Sequence, residues 1–140
     1  MTLTKVLIDT NICLDAIIYR RPYAAQALEL IERSESKDFR GIISAHSFDT
    51  LFYILNKKMN RTKAYKGLKE IRRAFDVAPV TSSVIDSALD SQWNDFEDAI
   101  HYFAAKSEAC KAIVTRNQKD FDQSEITILS PMKFLNQLDE

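Results

Sequence analysis

Three segments far apart in the chain carry carboxylate and amide side chains that suit a divalent cation. The residues concerned are Asp9, Asp95, Asp98, Asn117 and Asp120. Oxygen ligands of this kind are those that Mg²⁺ and Mn²⁺ prefer, whereas zinc favours histidine and cysteine. Carboxylates held together without a cation repel one another, which raises their pKa values. If the fold brings the segments together, the sequence predicts a Mg²⁺ or Mn²⁺ site with Asp9 as its central ligand.

A site of this composition favours the hydrolysis of a phosphodiester. A bound cation lowers the pKa of a water molecule, orients it for in-line attack and neutralises charge in the transition state. We assign Asp9 and Asp98 as metal ligands, with Asp120 or Asn117 completing the set directly or through waters. Asp95 would hold or deprotonate a water. These roles make Asp9, Asp95, Asp98 and Asp120 the candidate catalytic residues.

Alternating strand and helix patterns are expected to place these segments at one edge of a sheet. Between helical segments, short apolar runs predict strands at residues 5–9, 41–44, 77–80, 112–115 and 126–129. This alternation predicts an α/β fold of three layers, with helices on both faces of a short central parallel sheet. Ligands of such sheets bind beyond the carboxyl ends of the strands. The acids are therefore expected to meet at that edge.

Short polar residues mark the starts of several predicted helices. Thr10 or Asn11 is expected to cap the helix after the first strand, and Ser44 the helix after the second. Asp15 is expected in the first turn of its helix, where the helix dipole favours an acid. These assignments explain polar residues beside the predicted site without giving them a catalytic role.

Each candidate catalytic acid also has a structural interpretation, which stays open at this stage. Asp9 can serve only to cap the helix that follows it. Asp95 and Asp98 can be acids of a first helical turn, stabilised by the helix dipole. Asp120 can shape its loop. The hydrolytic interpretation requires the acids to lie together, and the structural one does not.

The net charge of −1 conceals a basic and an acidic segment. Glu70 is the one acid among eight bases: Lys57, Lys58, Arg61, Lys63, Lys66, Lys69, Arg72 and Arg73. A later segment has five acids and no base: Asp86, Asp90, Asp95, Glu97 and Asp98. A basic surface can track the phosphates of a nucleic acid. We therefore expect Lys66, Lys69 and Arg73, which share a helix face, to contact RNA; a merely solvated helix face is the alternative.

Length and composition restrict the remaining classes of protein. A chain of 140 residues fits a single domain, residues 1–140. Two glycines argue against a glycine-rich phosphate loop, and two isolated cysteines suggest neither a disulfide framework nor a zinc site. No stretch approaches the roughly 20 apolar residues of a membrane span. We expect a cytoplasmic protein with no membrane partner.

Three short motifs coincide with the candidate site. They read Ile-Asp-Thr-Asn at 8–11, Asp-Phe-Glu-Asp-Ala at 95–99 and Val-Thr-Arg-Asn-Gln-Lys-Asp-Phe at 114–121. In type, order and spacing they resemble the motifs of PIN domains, most closely those of VapC-like toxins from toxin–antitoxin pairs. The resemblance implies a PIN-like fold and a Mg²⁺- or Mn²⁺-dependent endoribonuclease, commonly a homodimer silenced by a cognate antitoxin. It points to Asn11, Ser44, Thr115 and Arg116 as RNA-binding residues.

One position departs from the pattern of that family. Its members usually carry a second acid, often Glu, early in the helix after the second strand, where this sequence has Thr50 preceded by Asp49. One residue turns a helical side chain by about 100°, so Asp49 becomes a metal ligand only if the helix is rotated locally. Asn117 also stands where many relatives have Asp.

Two other functions follow from these departures and from the acids. One is a catalytically weak or inactive PIN-like domain that binds RNA or a protein partner. The other is a phosphatase for small phosphomonoesters, although the first strand lacks the Asp-x-Asp pair of an aspartyl-phosphate route. Metal-dependent cleavage of RNA, RNA binding without cleavage, and release of phosphate from a generic monoester distinguish the three hypotheses.

Overall fold

Five short parallel strands form a sheet in the computed structural model, which describes residues 3–140. The strands are β1 (Lys5–Ile8), β2 (Arg40–Ser44), β3 (Asp76–Ala78), β4 (Ala112–Val114) and β5 (Thr127–Leu129). Their order is β3-β2-β1-β4-β5, and every neighbouring pair is parallel. The predicted strands are confirmed to within about two residues at each end. Strand β3 lies at an edge, as expected of a segment followed by Pro79.

Helices connect consecutive strands, as parallel pairing requires. The α-helices of the described residues are α1 (Thr10–Ile17), α2 (Ala24–Glu35), α3 (Ala45–Lys58), α4 (Arg61–Ala74), α5 (Ser82–Ser91), α6 (Phe96–Ser107) and α7 (Pro131–Leu138). A short 3₁₀ helix, Gln118–Phe121, follows β4 where a plain polar loop was predicted. Within residues 3–140, no helix is long and apolar enough to cross a bilayer.

Both faces of the sheet are buried under helices. Successive side chains of a strand point to opposite faces, so Val6 and Ile8 enter one core while Leu7 enters the other. The first core contains α1, α2, α3, α4 and α7, and the second contains α5 and α6. The predicted α/β fold with three layers is therefore confirmed. Cys13 and Cys110 are free and buried, as expected.

The helices that follow β1 and β2 are capped in different ways. Ser44 accepts a hydrogen bond from the backbone N–H of His46 and caps α3, as predicted. The expectation that Thr10 or Asn11 caps α1 is wrong, because the N-cap residue is Asp9 and its carboxylate makes no capping hydrogen bond. The Thr10 hydroxyl instead lies 2.7 Å from that of Ser47 on α3. The Asp9 carboxylate therefore takes no part in capping α1.

The register of the strands brings their carboxyl ends level. Ile8 of β1 lies opposite Val114 of β4, and Val114 lies opposite Leu129 of β5. The segments that follow β1 and β4 therefore emerge side by side. The 3₁₀ helix after β4 contacts α6, which brings the third acidic segment to the same edge.

Candidate active site

Asp9 is a buried carboxylate held from the neighbouring strand. Its backbone N–H donates to the Val114 carbonyl at 3.0 Å, which extends the ladder between β1 and β4. The Thr115 hydroxyl donates to Asp9 Oδ2 at 2.8 Å and accepts from the Asn117 backbone N–H at 3.0 Å. Burial raises the pKa of Asp9, against the Thr115 hydrogen bond, which lowers it. Thr115 therefore fixes both the first acid and the loop that carries the last one.

Asp98 is the half-buried acid of the site. It lies in the first turn of α6. Burial first, and then the charges of Asp95, Asp120 and Asp9, raise its pKa from 3.8 to about 7, while His101 opposes them. Asp95, Asp98 and Asp120 also line one cavity, and the charge of Asp9 acts on Asp98. The structure therefore brings these acids together at the carboxyl edge of the sheet, and their catalytic and metal-binding roles stay a prediction.

Asp95 and Asp120 occupy the exposed rim of the cluster. Asp95 is the N-cap of α6, and its Oδ1 accepts from the Asp98 backbone N–H at 3.1 Å. Asp95 therefore has a structural role as the cap of α6 and not as the first-turn acid that was expected, and its charge still acts on Asp98. Asp120 lies in the 3₁₀ helix and acts on the pKa values of both Asp9 and Asp98. Asn117 is the partly buried residue from which that helix begins.

Asp49 is not brought into the cluster. Its side chain is exposed on α3, whereas the neighbouring Thr50 turns inward and its hydroxyl lies 3.4 Å from Glu97 Oε1. The charges that act on Asp9 and Asp98 come from acids of the other segments and from His101. The helix therefore presents Thr50, and not Asp49, to Glu97, and Asp49 stays exposed.

Glu97 joins two histidines beside the acids, a feature that the sequence interpretation missed. Glu97 Oε1 lies 3.4 Å from His101 Nε2, and Oε2 lies 3.6 Å from His46 Nε2. The hydrogen bond with His101 is the main reason that the pKa of Glu97 is lowered. The spacing of Glu97 and His101, four residues on one helix, was a detectable signal. The link to His46 on α3 was not.

Arg116 is engaged within the protein. Its Nε and Nη2 donate to the two oxygens of Asp15 at 2.8 and 3.2 Å, and its guanidinium lies 4.1 Å from the Tyr23 ring centre. Asp15 also pairs with Arg20 at 3.5 Å. The helix-dipole interpretation of Asp15 is wrong, because this residue lies beyond the first turn and is a buried salt-bridge partner.

The remaining predicted RNA-binding residues lie in different environments. Ser44 and Thr115 are buried, and their hydroxyls are occupied by the hydrogen bonds given above, so neither is open to a ligand as it stands. Asn11 is partly buried at the start of α1. Lys66, Lys69 and Arg73 are exposed on α4.

Arg73 is separated from the acids by the length of the sheet. It lines a cavity with Arg40 and Asp76, which begin β2 and β3. This cavity therefore lies at the amino edge of the sheet, whereas the acids lie at the carboxyl edge. Arg73, which was expected to act with Lys66 and Lys69, therefore lies at the edge opposite the acids.

Comparison with known proteins identifies the family. A family model described as a PIN domain matches residues 5–119. The chain belongs to the PIN domain family. The resemblance found in the motifs is confirmed. Ribonuclease VapC1 of Aquifex aeolicus is 28% identical over 142 residues, which cover 96% of this chain and 95% of that relative.

Solved structures share the fold of this PIN domain. The DNA-bound VapBC structure from Salmonella typhimurium matches with a TM-score of 0.71 and 17% identity, over 92% of this chain and 99% of that one. The sarcin-ricin loop cleaving toxin VapC20 of Mycobacterium tuberculosis matches with a TM-score of 0.62 and 17% identity, over 77% and 86%. These similarities support the three-layer fold described above.

Proposed function

We propose that this PIN domain, as one domain of residues 1–140, is a metal-dependent endoribonuclease and the toxin of a toxin–antitoxin pair. The observation that carries the proposal is the convergence of Asp9, Asp98 and Asp120 from three segments at the carboxyl edge of the sheet. Burial first, and then repulsion by Asp95, Asp120 and Asp9, raises the pKa of Asp98 to about 7. A cluster that repels itself in this way is suited to a cation.

The donor set fits Mg²⁺ or Mn²⁺ in its chemistry. Asp9, Asp98 and Asp120 offer carboxylate oxygens, and Asn117 adds an amide oxygen. Among residues 3–140, no three His, Cys, Asp or Glu side chains stand in an arrangement that would already hold a metal ion. The carboxylates would therefore adjust as they bind. When bound, the cation would lower the pKa of a water and neutralise charge on the phosphodiester.

Two side chains would assist the cation: Thr115 orients the Asp9 carboxylate, and Asp95 accepts a proton from a water. The Thr115 hydroxyl holds Oδ2 of Asp9, which fixes the direction of that carboxylate. Asp95 uses Oδ1 to cap α6, so its Oδ2 remains for a water whose proton it would accept. Lys66 and Lys69 would attract the phosphates of the RNA. In this proposal Asn11 contacts the RNA backbone, and Ser44, Thr115 and Arg116 hold the loops around it.

The relatives support the remaining parts of the proposal. Ribonuclease VapC1 supports action on RNA, and a toxin that cleaves the sarcin-ricin loop shares the fold. VapBC complexes with the same fold support a protein antitoxin as the partner. We further propose that the protein forms a homodimer and works in the cytoplasm, where its RNA substrate would be.

The test is RNA cleavage by the full chain with Mg²⁺ or Mn²⁺ and by a variant of the central acid. Asp9→Asn keeps the size of the side chain but removes its charge, and it should lower the cleavage rate by at least about 100-fold. Asp49→Asn makes the same change at an exposed acid outside the cluster and should leave the rate within about twofold. Equal rates for Asp9→Asn and the unchanged protein would overturn the proposed site.

A second candidate function rests on α3. Thr50 faces Glu97 without adding a carboxylate, and Asp49 stays exposed. A site short of one acid favours a PIN domain that binds RNA or a protein partner without cleaving RNA. Metal-independent RNA binding without cleavage would favour this function. Cleavage that depends on both a cation and Asp98 would exclude it.

A further inference from the structure

A small cavity opens beside the acid cluster. It has a volume of about 170 Å³. Asp98 and Asp120 form part of its wall, and Trp93, Asn94 and Gln123 form another part. Trp93 is the one tryptophan of the 140-residue sequence. The cavity thus joins an aromatic ring and two primary amides to the proposed site of cleavage.

Trp93 is held in place before any ligand arrives. Gln92 is the C-cap of α5 and has a left-handed backbone with a φ of 53°, and the backbone N–H of Trp93 donates to the Ser91 hydroxyl at 3.3 Å. The indole packs on Tyr102 with 4.9 Å between ring centres and an angle of 32° between ring planes. Phe121 contacts it edge-on at 6.3 Å. A ring fixed in this way loses little conformational entropy when a ligand packs against it.

The indole is nevertheless only partly buried. Its N–H makes no hydrogen bond to another residue among 3–140, and no buried side-chain nitrogen or oxygen in that range lacks a partner. The indole N–H is therefore accessible. Trp93 thus packs against the aromatic cluster and also lines the cavity.

Charge restricts what can enter. Asp95, Asp98, Asp120 and Asp122 line the cavity against a single base, Lys119, so a phosphate group would be repelled. A neutral aromatic ring would not be. Carboxylate oxygens accept hydrogen bonds from amino groups such as that of cytosine, and the amides of Asn94 and Gln123 both donate and accept. The lining therefore suits a planar ring that carries an amino group.

We propose that this cavity binds an unpaired nucleobase with an exocyclic amino group, next to the phosphodiester that is cleaved. The proposal rests on the proposed function, since it makes the ligand part of the RNA substrate. The base packs against Trp93, as bases of single-stranded RNA pack on aromatic side chains. Asn94 and Gln123 contact its polar edge. Trp93 thereby contributes to the choice of cleavage position, with adenine and cytosine bound better than uracil.

The first experiment uses the fluorescence of Trp93, which reports on the cavity without interference from another tryptophan. The full chain is titrated in EDTA with the nucleosides adenosine, cytidine and uridine, which carry no phosphate for the acids to repel, and with ribose. Adenosine and cytidine should quench the signal and bind about tenfold more tightly than uridine. Ribose should not quench. Equal quenching by all four would overturn the proposal.

Variants of the lining residues distinguish a role in base binding from a role in the stability of the aromatic core. Asn94→Ala with Gln123→Ala removes both amides without touching the aromatic packing, and it should abolish the preference over uridine. Asn136→Ala, an exposed amide on α7, should leave the preference unchanged. Trp93→Leu should weaken binding about tenfold and Trp93→Phe by less, with thermal melting to check folding. An unchanged preference in the double variant would contradict the assignment.

Cleavage assays distinguish this proposal from the proposed function. If the protein cleaves RNA, Trp93→Leu should raise KM with kcat nearly unchanged, since the base contributes uniform binding. If no RNA is cleaved, the proposed function fails. The fluorescence titration then still decides whether the cavity binds a nucleobase.

Discussion

The Asp15 carboxylate shows how much a single residue connects in this protein. It is 1% exposed and accepts two hydrogen bonds from Arg116, which follows β4, while Arg20 lies 3.5 Å away. Asp15 lies on α1, directly after the segment that carries Asp9. The pair therefore joins α1, which directly follows Asp9, to the segment after β4 that carries Asp120.

Loss of the Arg116 partner should destabilise the protein. Arg116→Met keeps much of the side-chain volume but leaves a buried carboxylate with only Arg20 near it. Removing one partner of a buried ion pair typically costs about 3–5 kcal/mol, and we expect about 3 kcal/mol here. Urea denaturation measures it. Arg61→Met, at an exposed position, should change stability by less than about 0.5 kcal/mol; equal effects of the two changes would refute the role of the pair.

At this scale, the sequence predicted the acids better than their partners. Asp9, Asp98 and Asp120 were recognisable because each follows or begins a predicted element. The Asp15–Arg116 pair was not, because its members lie 101 residues apart and no local pattern joins them. The Glu97–His46 contact was missed for the same reason, since it joins the starts of α3 and α6, which lie on opposite faces of the sheet.

Helix α4 carries the basic residues that were expected to bind RNA, and they lie at different distances from the amino edge of the sheet. It runs from Arg61 to Ala74, and its last turn approaches the start of β3 at the amino edge of the sheet. A helix rises about 1.5 Å per residue, so Lys66 lies about 10 Å from Arg73 along the helix axis. Arg73 at the end of α4 lines the cavity at the amino edge, whereas Lys66 and Lys69 on the same basic face do not line it.

The two ends should differ in their contribution to RNA binding. Replacing Lys66 and Lys69 by Gln should weaken binding of single-stranded RNA for all sequences alike. It should also lower the slope of log K against log salt by about 0.7 per lost phosphate contact. Arg73→Gln, on the same helix, should change neither quantity. Filter binding over a salt series measures both, and an equal loss with Arg73→Gln would contradict this division.

The positions of the strands and helices in the sequence were largely predictable. Which side chains of each helix face the site was not. Apolar runs located the strands, and the parallel order followed from the helices between them. The cap of α1 was assigned to the wrong residue because Thr10 turns to Ser47 on another helix. Whether Thr50 or Asp49 faces the site depends on how α3 packs, which its own sequence does not determine.

In the whole molecule, several acids lie together at the carboxyl edge of the sheet, and their charges affect the stability of the fold. The pKa of Asp98 is raised from 3.8 to about 7 in the folded protein. The folded state therefore binds more protons than the unfolded state between these values, so stability falls as pH rises from about 4 to about 7. Solvent screens this half-buried group, which makes the effect modest.

Asp98→Asn should remove that dependence. Without the carboxylate, the variant should melt at a higher temperature than the unchanged protein at about pH 8 in EDTA, and the difference should shrink towards about pH 5. Asp86→Asn alters an exposed acid outside the cluster and should leave the curve nearly unchanged. Thermal melts over this pH range measure all three proteins. A gap between the Asp98 variant and the unchanged protein that widens on acidification would contradict the assignment.

The central position of β1 has a consequence for synthesis on the ribosome. β1 pairs with β2 on one side and with β4, which begins at Ala112, on the other. Residues leave the ribosome in order, at about 5–20 per second. Until the segment after β4 has emerged, Asp9 lacks the Thr115 hydroxyl that orients it and Asp120 is absent. A nascent chain therefore carries an incomplete acid cluster until the residues through Asp120 have left the ribosome.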